Sequence, residues 1–281
     1  MTASPVVVGT EVPSFQLRSP RMGATFVALL LRDFTVLRKN TGTLLLRTVM
    51  QPLLFVFVFT YVFPRIGQGV GGQNQSADFS SLLVPGVVAI ACIFQGIQAL
   101  ALPLVSEIGR TGEIEDRALA PLPIWAMALA KVVSGALQGV LAAAAVFPMA
   151  ALIPATEVNL HVNWPLLLTM TPLAALVGAG LGLTIGTRVE PRQVPLMFSI
   201  IVIPITFLGA TYYPWARLSP IPWLKWAVLV NPLVYMSEAF RAALTPQFHH
   251  MPLPAIFAGL LTFSIGLTWL GTRSFRRRVL S

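Results

Sequence analysis

Long apolar segments, separated by short stretches that hold most of the charged residues, are the feature that most constrains the fold of this chain. Of its 281 residues, 56% are hydrophobic and only 10% are charged, whereas a soluble domain has about 25% charged residues. Several apolar segments reach the roughly 20 residues that a helix needs to cross a bilayer. A transmembrane β-barrel would instead show alternating segments of about 10 residues. The sequence therefore predicts an all-α integral membrane protein.

Six segments are predicted to span the membrane as helices. Their approximate bounds are 43–64, 80–105, 124–153, 164–187, 194–213 and 253–272. Residues 1–21 hold prolines and no long apolar core, so we expect a disordered cytoplasmic tail and not a signal peptide. Residues 22–281 then form one transmembrane domain.

The segment before the first span alternates apolar positions with charged ones. It runs from residue 22 to 40 and carries Arg32, Asp33, Arg38 and Lys39. Such a pattern predicts an amphipathic helix lying at the inner membrane surface. The alternative interpretation is a polar lead-in to the first span.

Lysine and arginine are distributed unevenly between the two ends of the spans. With the N-terminus inside, the outer side carries only Arg65, Arg217, Lys225 and Arg241. The other end groups are cytoplasmic, among them the C-terminal residues Arg273, Arg276, Arg277 and Arg278. Positively charged loops favour the cytoplasmic side. We therefore expect a multi-pass protein of the cell membrane with both termini in the cytoplasm.

The loop between the second and third spans holds four of the ten acidic residues of the chain. They are Glu107, Glu113, Glu115 and Asp116, interleaved with Arg110 and Arg117. A charged loop between two spans is suited to docking a soluble partner. The alternative is a solvated turn that only sets the topology.

Several kinds of function are disfavoured by what the sequence lacks. No lysine stands in a GxxxxGK[ST] context, so we expect no phosphate-binding loop. The predicted spans contain no Asp or Glu, which disfavours proton-driven transport. No HExxH or G-x-S-x-G motif points to catalysis, and we expect no metal site and no nucleic-acid binding. A pore with an external energy source remains.

Two stretches resemble a known family. EIGRTGEIEDRALAPLPIWAMALAK (107–131) resembles the cytoplasmic loop of type-2 ABC exporter permeases, and PWLKWAVLVNPLVYMSEAFRAAL (222–244) is similar to the signature before their final span. Both occur in the family's order, and the resemblance covers nearly the whole chain after residue 22. It implies six spans, an amphipathic N-terminal helix and short re-entrant helices on the outer side.

The resemblance also implies partners. The permease would pair with a second copy or a homologous permease among membrane lipids, and would bind separate ATPase subunits that hold ATP and magnesium. No cofactor would bind the permease itself. The residues implied in coupling to the ATPase are Glu107, Arg110, Glu113, Ile114, Glu115, Asp116, Arg117 and Leu119.

The implied cargo is hydrophobic or amphipathic, because the chain most resembles drug- and antibiotic-resistance permeases. Permeases that export polysaccharides or glycolipids have a similar size and topology and stay an alternative. A secondary transporter acting alone and a membrane scaffold are the further alternatives.

On the outer side, the resemblance places Asn231, Pro232, Tyr235, Glu238 and Arg241 in short re-entrant helices. Pro232 is suited to the first turn of a helix. Glu238 and Arg241 are three residues apart and would face one another on a helix. They would hold an outer gate or, in the alternative, form a purely structural pair.

The cargo is expected to pass along the first, second and fifth spans. The lining candidates are Gln51, Phe55, Phe59, Phe94, Gln95 and Gln98. Glutamine in an apolar span is costly without a partner, so hydrogen bonds between helices are an alternative to cargo contact. In the fourth span, Gly178, Gly182 and Gly186 allow close helix packing, either within the chain or between subunits.

Overall fold

The computed structural model describes residues 52–66, 76–106, 123–153 and 159–280, with isolated positions between 23 and 50. Over these ranges the chain is helical, with loops and no strand, which confirms the all-α prediction. The helices are α1 (Pro52–Val62), α2 (Ser76–Ser106), α3 (Ile124–Leu152), α4 (Trp164–Arg188), α5 (194–207), α6 (Pro222–Ala227), α7 (Pro232–Leu244) and α8 (Leu253–Leu280).

Four of the described helices are long and apolar enough to cross a membrane: α2, α3, α4 and α8. The ends of α2, α3 and α4 lie within a few residues of the predicted bounds, whereas α8 continues past residue 272 to Leu280. Helix α1 is described only from Pro52, and α5 is broken into short pieces. The count of six spans therefore stays a prediction.

Helices α2 and α4 are closely packed against each other. A methyl group added at Gly182 would lie 2.5 Å from the carbonyl oxygen of Gly96, and one added at Gly178 would lie 3.1 Å from Cα of Ile93. Glycine at these positions lets the two backbones approach each other. The predicted glycine face of the fourth span thus packs within the chain.

Helix α2 lies at the centre of the fold and α8 at its edge. In its most apolar window, α2 is 72% buried, whereas α8 is 17% buried. Helix α3 packs on α2 and α4, and α8 packs on α4 and α7. The single cysteine, Cys92, is completely buried on α2, with its sulfur beside Gly139 of α3. A large part of the surface of α8 is therefore left for lipid.

The fifth span differs from its predicted extent of 194–213. Its helix ends at Phe207, and residues 208–213 form a bent segment that contains Ala210 with a positive φ of 51°. The carbonyl groups of Gly209 and Ala210 accept hydrogen bonds from side chains of α7 instead of continuing a helical ladder. These contacts between distant parts of the chain overrule the apolar pattern.

Helix α7 is buried along nearly its whole length. At its start, the side chain of Asn231 accepts a hydrogen bond from the backbone N–H of Leu233 at 2.9 Å, as helix-capping residues do. At its end, the carbonyl groups of Ala243 and Leu244 accept bonds from the backbone N–H groups of Asn163 and His161. Both ends of this short helix are thus satisfied without water.

Candidate functional site

An elongated cavity of about 550 Å³ lies between α1, α2 and α5. Its wall is formed by Phe55, Phe59, Leu83, Phe94, Ile203, Thr206, Phe207 and Tyr212. Leu83 and Phe94 are eleven residues apart on α2, which corresponds to roughly 16 Å at 1.5 Å per residue. The structure thus brings three predicted lining residues, Phe55, Phe59 and Phe94, to one cavity.

Aromatic rings form a continuous patch of the cavity wall. The rings of Phe55 and Phe59 are stacked with centroids 6.0 Å apart, and Tyr212 lies 5.3 Å from Phe59. The hydroxyl of Thr206 donates to the carbonyl oxygen of Val202 at 2.8 Å and is therefore already bonded within α5. The wall offers an apolar molecule a large contact area and offers a polar one few partners.

Both helices that face α2 across the cavity contain a π-helical segment. In α1 this segment is Phe57–Val62, and in α5 it is Phe198–Val202. Such segments are rare and occur frequently at functional sites. In α1 the segment includes Phe59 and so sets the direction of a ring that lines the cavity.

Two of the predicted glutamines, Gln95 and Gln98, are not among the described residues that line this cavity. Gln95 is buried, and its Nε2 donates to Oε1 of Gln138 on α3 at 3.3 Å. Gln98 is partly buried, and Gln51 lies outside the described residues. The contact of Gln95 is a hydrogen bond between helices, as in the alternative interpretation of these residues, and the place of all three in a pathway stays a prediction.

Glu238 and Arg241 form a salt bridge in which Nη1 of Arg241 lies 2.5 Å from Oε1 of Glu238, and both side chains are completely buried. Oε1 of Glu238 also accepts the backbone N–H of Trp215 at 2.9 Å, and Oε2 accepts that of Met251 at 2.8 Å. A buried charge is tolerated only when it is paired and hydrogen-bonded. One carboxylate thereby joins α7 to the segment before α6 and to Met251, two residues before α8.

Arg241 continues this network toward the cavity. Its Nη2 donates to the carbonyl oxygen of Ala210 at 3.1 Å, and the hydroxyl of the neighbouring Ser237 donates to that of Gly209 at 2.5 Å. We call Ser237, Glu238 and Arg241 the polar cluster. Since Tyr212 lies two residues after the second bonded carbonyl, the polar cluster fixes the segment that carries this part of the cavity wall.

The other predicted residues at the outer side have structural contacts as well. The side-chain amide of Asn231 donates to the carbonyl oxygen of Ile205 at 2.7 Å, and Pro232 occupies the first turn of α7. The ring of Tyr235 packs against Phe263 of α8 with centroids 5.7 Å apart. Whether these residues take part in gating is left as predicted.

The coupling residues predicted from 107 to 119 lie outside the described residues. So do Asp33, Arg38 and Lys39 of the expected amphipathic helix. Within that segment, Val27, Leu31 and Arg32 are helical and exposed, and the hydroxyl of Thr35 donates to the carbonyl oxygen of Leu31 at 2.7 Å. The assigned roles of both segments stay predictions.

Sequence reasoning missed several residues of the cavity and its support. Tyr212 stands at the end of a predicted span, where an aromatic residue is typical of a membrane interface, and Thr206 and Phe207 have no signal beyond their apolar context. The partners of Glu238 are the backbone groups of Trp215 and Met251, which leave no mark in a sequence. Gln138 could have been found from the sequence, because a glutamine in the third predicted span is a candidate hydrogen-bond partner for Gln95 in the second.

Comparison with known proteins then assigns the family. The sequence model of the family described as "ABC-2 type transporter" matches residues 24–245, which is most of the chain. The chain belongs to this family. ABC-2 membrane subunits are not themselves ATPases, and the family implies association with ABC ATPase subunits. The chain is thus a transmembrane subunit of an ABC transporter and a multi-pass membrane protein.

Relatives of this ABC-2 subunit are named as exporters and as an inner membrane transport permease. Heme exporter protein B of Haemophilus influenzae is 28% identical over 229 residues, covering 78% of this chain and 96% of that protein. The inner membrane transport permease YadH of Escherichia coli K12 is 24% identical over 223 residues, covering 78% of this chain and 83% of YadH. Heme exporter protein B of Pseudomonas aeruginosa is 28% identical over 191 residues, covering 67% of this chain and 80% of that protein.

Proposed function

We propose that this ABC-2 subunit exports a hydrophobic or amphipathic cargo, such as a drug or a lipid, from the cytoplasm. It would act with a second permease, identical or homologous, and with two ATPase subunits at the inner membrane face. The 107–119 loop would transmit ATP-driven movement from the ATPases. Both chain termini would lie in the cytoplasm.

The cavity between α1, α2 and α5 is the observation that carries this proposal. Its wall is almost entirely aromatic and aliphatic, and the one threonine is bonded within its own helix. Transfer of an apolar surface from water into such a wall is favourable by about 25 cal/mol per Å². A glycan would lose its hydrogen bonds to water here and regain few, which disfavours the polysaccharide alternative.

Haem is one cargo that the relatives suggest, since two of them are called heme exporters. The described part of the cavity wall contains no histidine, cysteine or methionine. We therefore expect a flat cargo to be held by ring contacts and not through a metal. On this proposal, an iron-free porphyrin competes with haem for the cavity.

Substitution of a wall residue tests the cargo assignment. Phe59→Ala removes a ring that contacts Phe55 and Tyr212 and should raise the KM for a hydrophobic dye about tenfold, as expected from about 1.5 kcal/mol of lost burial. The measurement is ATP-dependent dye transport in vesicles that contain the complete transporter. Phe257→Ala, in α8 and away from the cavity, is the matched control. Equal KM values for the two variants would contradict the cargo assignment.

Charge reversal tests the coupling assignment separately. Replacement of Glu113, Glu115 and Asp116 with lysine should abolish cargo-stimulated ATPase activity, because like charges would face the partner's surface. The same vesicles provide the measurement, and Glu190→Lys, in the turn after α4, is the control. Unchanged stimulation in the triple variant would remove these residues from the coupling surface, and ATP-independent transport would favour a transporter acting alone.

A further inference from the structure

A second groove, of about 530 Å³, runs along the N-terminal half of α8. It shares no described lining residue with the cargo cavity. Its floor is one face of α8, formed by Ala255, Ala258, Gly259, Thr262 and Phe263. Its upper wall is formed by Trp215, Trp226, Leu229, Tyr235 and Met251. From Ala255 to Phe263 the floor extends for roughly 12 Å at 1.5 Å per residue.

The wall of the groove is fixed by contacts described above. Glu238 binds the backbone N–H groups of Trp215 and Met251, and the ring of Tyr235 packs on Phe263. Trp215 is further held by a hydrogen bond from its indole N–H to the carbonyl oxygen of Lys225 at 2.9 Å. The groove is thus formed before any ligand binds, which reduces the entropy lost on binding.

A positive charge lies at the upper end of the groove. Nζ of Lys225 is 4.5 Å from the centre of the Trp215 ring and donates to the hydroxyl of Ser219 at 3.2 Å. Arg217 is exposed nearby in the chain. Within the described ranges, no carboxylate forms a salt bridge with Lys225 or Arg217, and Glu238 is paired with Arg241. With respect to the described residues, the two cations are available to an anion.

The surroundings of the groove match a membrane interface. Trp223 and Trp226 are exposed, at 72% and 66%, on one side of α6, and tryptophan is enriched where a bilayer meets water. The opposite end of α8 carries Arg273 and three further arginines, so the positive-inside rule places the groove in the outer leaflet. An apolar groove with cations at its end matches the chemistry of one anionic phospholipid. The groove suits an acyl chain, and the cations suit the phosphate.

We propose that this groove binds an anionic phospholipid of the outer leaflet. One acyl chain lies along the Ala255–Phe263 face, and the phosphate is bound by Lys225 and Arg217. The bound lipid would fill the space between α6 and α8 that the protein leaves open. This site is separate from the cargo cavity, so its occupancy does not depend on the proposed cargo.

Competitive lipid retention tests this proposal on the purified full-length chain. The protein is equilibrated in detergent with equal amounts of phosphatidylglycerol and phosphatidylcholine, and the retained lipids are counted by native mass spectrometry. The wild type should retain phosphatidylglycerol preferentially. Lys225→Ala should lower that preference about fivefold, as expected for one cation near a lipid surface. Arg273→Ala is the matched control, because Arg273 also lies over an exposed tryptophan, 5.3 Å from the Trp269 ring, at the other end of α8.

A second pair of variants tests the acyl-chain part of the groove. Ala258→Phe fills the floor and should reduce the retention of both lipids at this site, whereas Leu261→Phe, exposed on the same helix but outside the groove, should not. Elution volume on size-exclusion chromatography verifies that each variant is folded. Equal retention of both lipids by the wild type, or equal losses in Lys225→Ala and Arg273→Ala, would overturn the proposal. So would equal retention by the two phenylalanine variants.

Discussion

Two regions of this transporter subunit are completely buried, and they are built from opposite chemistry. The seam between α2 and α4 consists of glycine and small apolar residues whose backbones nearly touch. The polar cluster on α7 consists of two charged residues and a serine, each bonded to backbone groups of other segments. The seam is stabilised by close contact between the two backbones, and a side chain larger than that of glycine would collide with the facing helix. The polar cluster is stabilised by an ion pair and by hydrogen bonds to backbone groups, and among the described residues only Nε of Arg241 is buried without a partner.

The largest effect is expected in the polar cluster. Glu238→Ala leaves Arg241 charged and unpaired in a buried site and should lower the free energy of unfolding by about 3–5 kcal/mol. Unfolding by denaturant in mixed detergent micelles provides the measurement. Glu190→Ala, which removes an exposed carboxylate, is the control and should have little effect. A loss of under about 1 kcal/mol, the range typical of an exposed pair, would show that water reaches the cluster.

A smaller effect is expected from enlarging the seam. Gly182→Ala places a methyl group 2.5 Å from the carbonyl oxygen of Gly96 and should lower the free energy of unfolding by about 1–3 kcal/mol. Gly266→Ala, also in a long helix but with no atom within 4 Å of the new methyl group, should be neutral or stabilise by up to about 1 kcal/mol. If the two variants unfold alike, the seam is looser than described.

Removal of a neutral member of the polar cluster should have a milder effect than removal of the charge. Ser237→Ala takes away the donor to the carbonyl oxygen of Gly209 and should cost about 1 kcal/mol. The same unfolding measurement applies, with Ser274→Ala at the end of α8 as the control, where the hydroxyl contacts exposed Arg188. If Ser237→Ala lowered the free energy of unfolding as much as Glu238→Ala, the charge of Glu238 would contribute no more to stability than a neutral hydrogen bond.

The smallest effect is expected at the left-handed residue between the two regions. Ala210 has a φ of 51°, which costs a residue with a side chain about 1–2 kcal/mol. Ala210→Gly relieves this strain but makes the unfolded chain more flexible, so stability should rise by no more than about 1 kcal/mol. Ala243→Gly, at a buried helical alanine of α7, should lower it by about 1 kcal/mol. A clear loss of stability in Ala210→Gly would contradict the interpretation that the backbone of Ala210 is strained.

The parts of the fold that follow from local pattern were predictable, and those that depend on distant backbone groups were not. The bounds of α3 and α4 follow from long, mostly apolar runs, and the pairing of Glu238 with Arg241 follows from their spacing on a helix. The end of α5 at Phe207 does not follow, because its cause is a set of bonds from α7. The aromatic cavity was half predictable, since Phe55 and Phe59 lie in the first expected span and Phe94 in the second, whereas Tyr212 reaches the cavity only through the bend.

The burial of Cys92 has a practical consequence for topology experiments. The chain has a single cysteine, and its thiol is completely enclosed among helices, where a maleimide has no access. Single-cysteine reporters can therefore be introduced into the unmodified protein, for example at Thr111, with negligible background. Such a reporter establishes on which face of the bilayer the acidic loop lies.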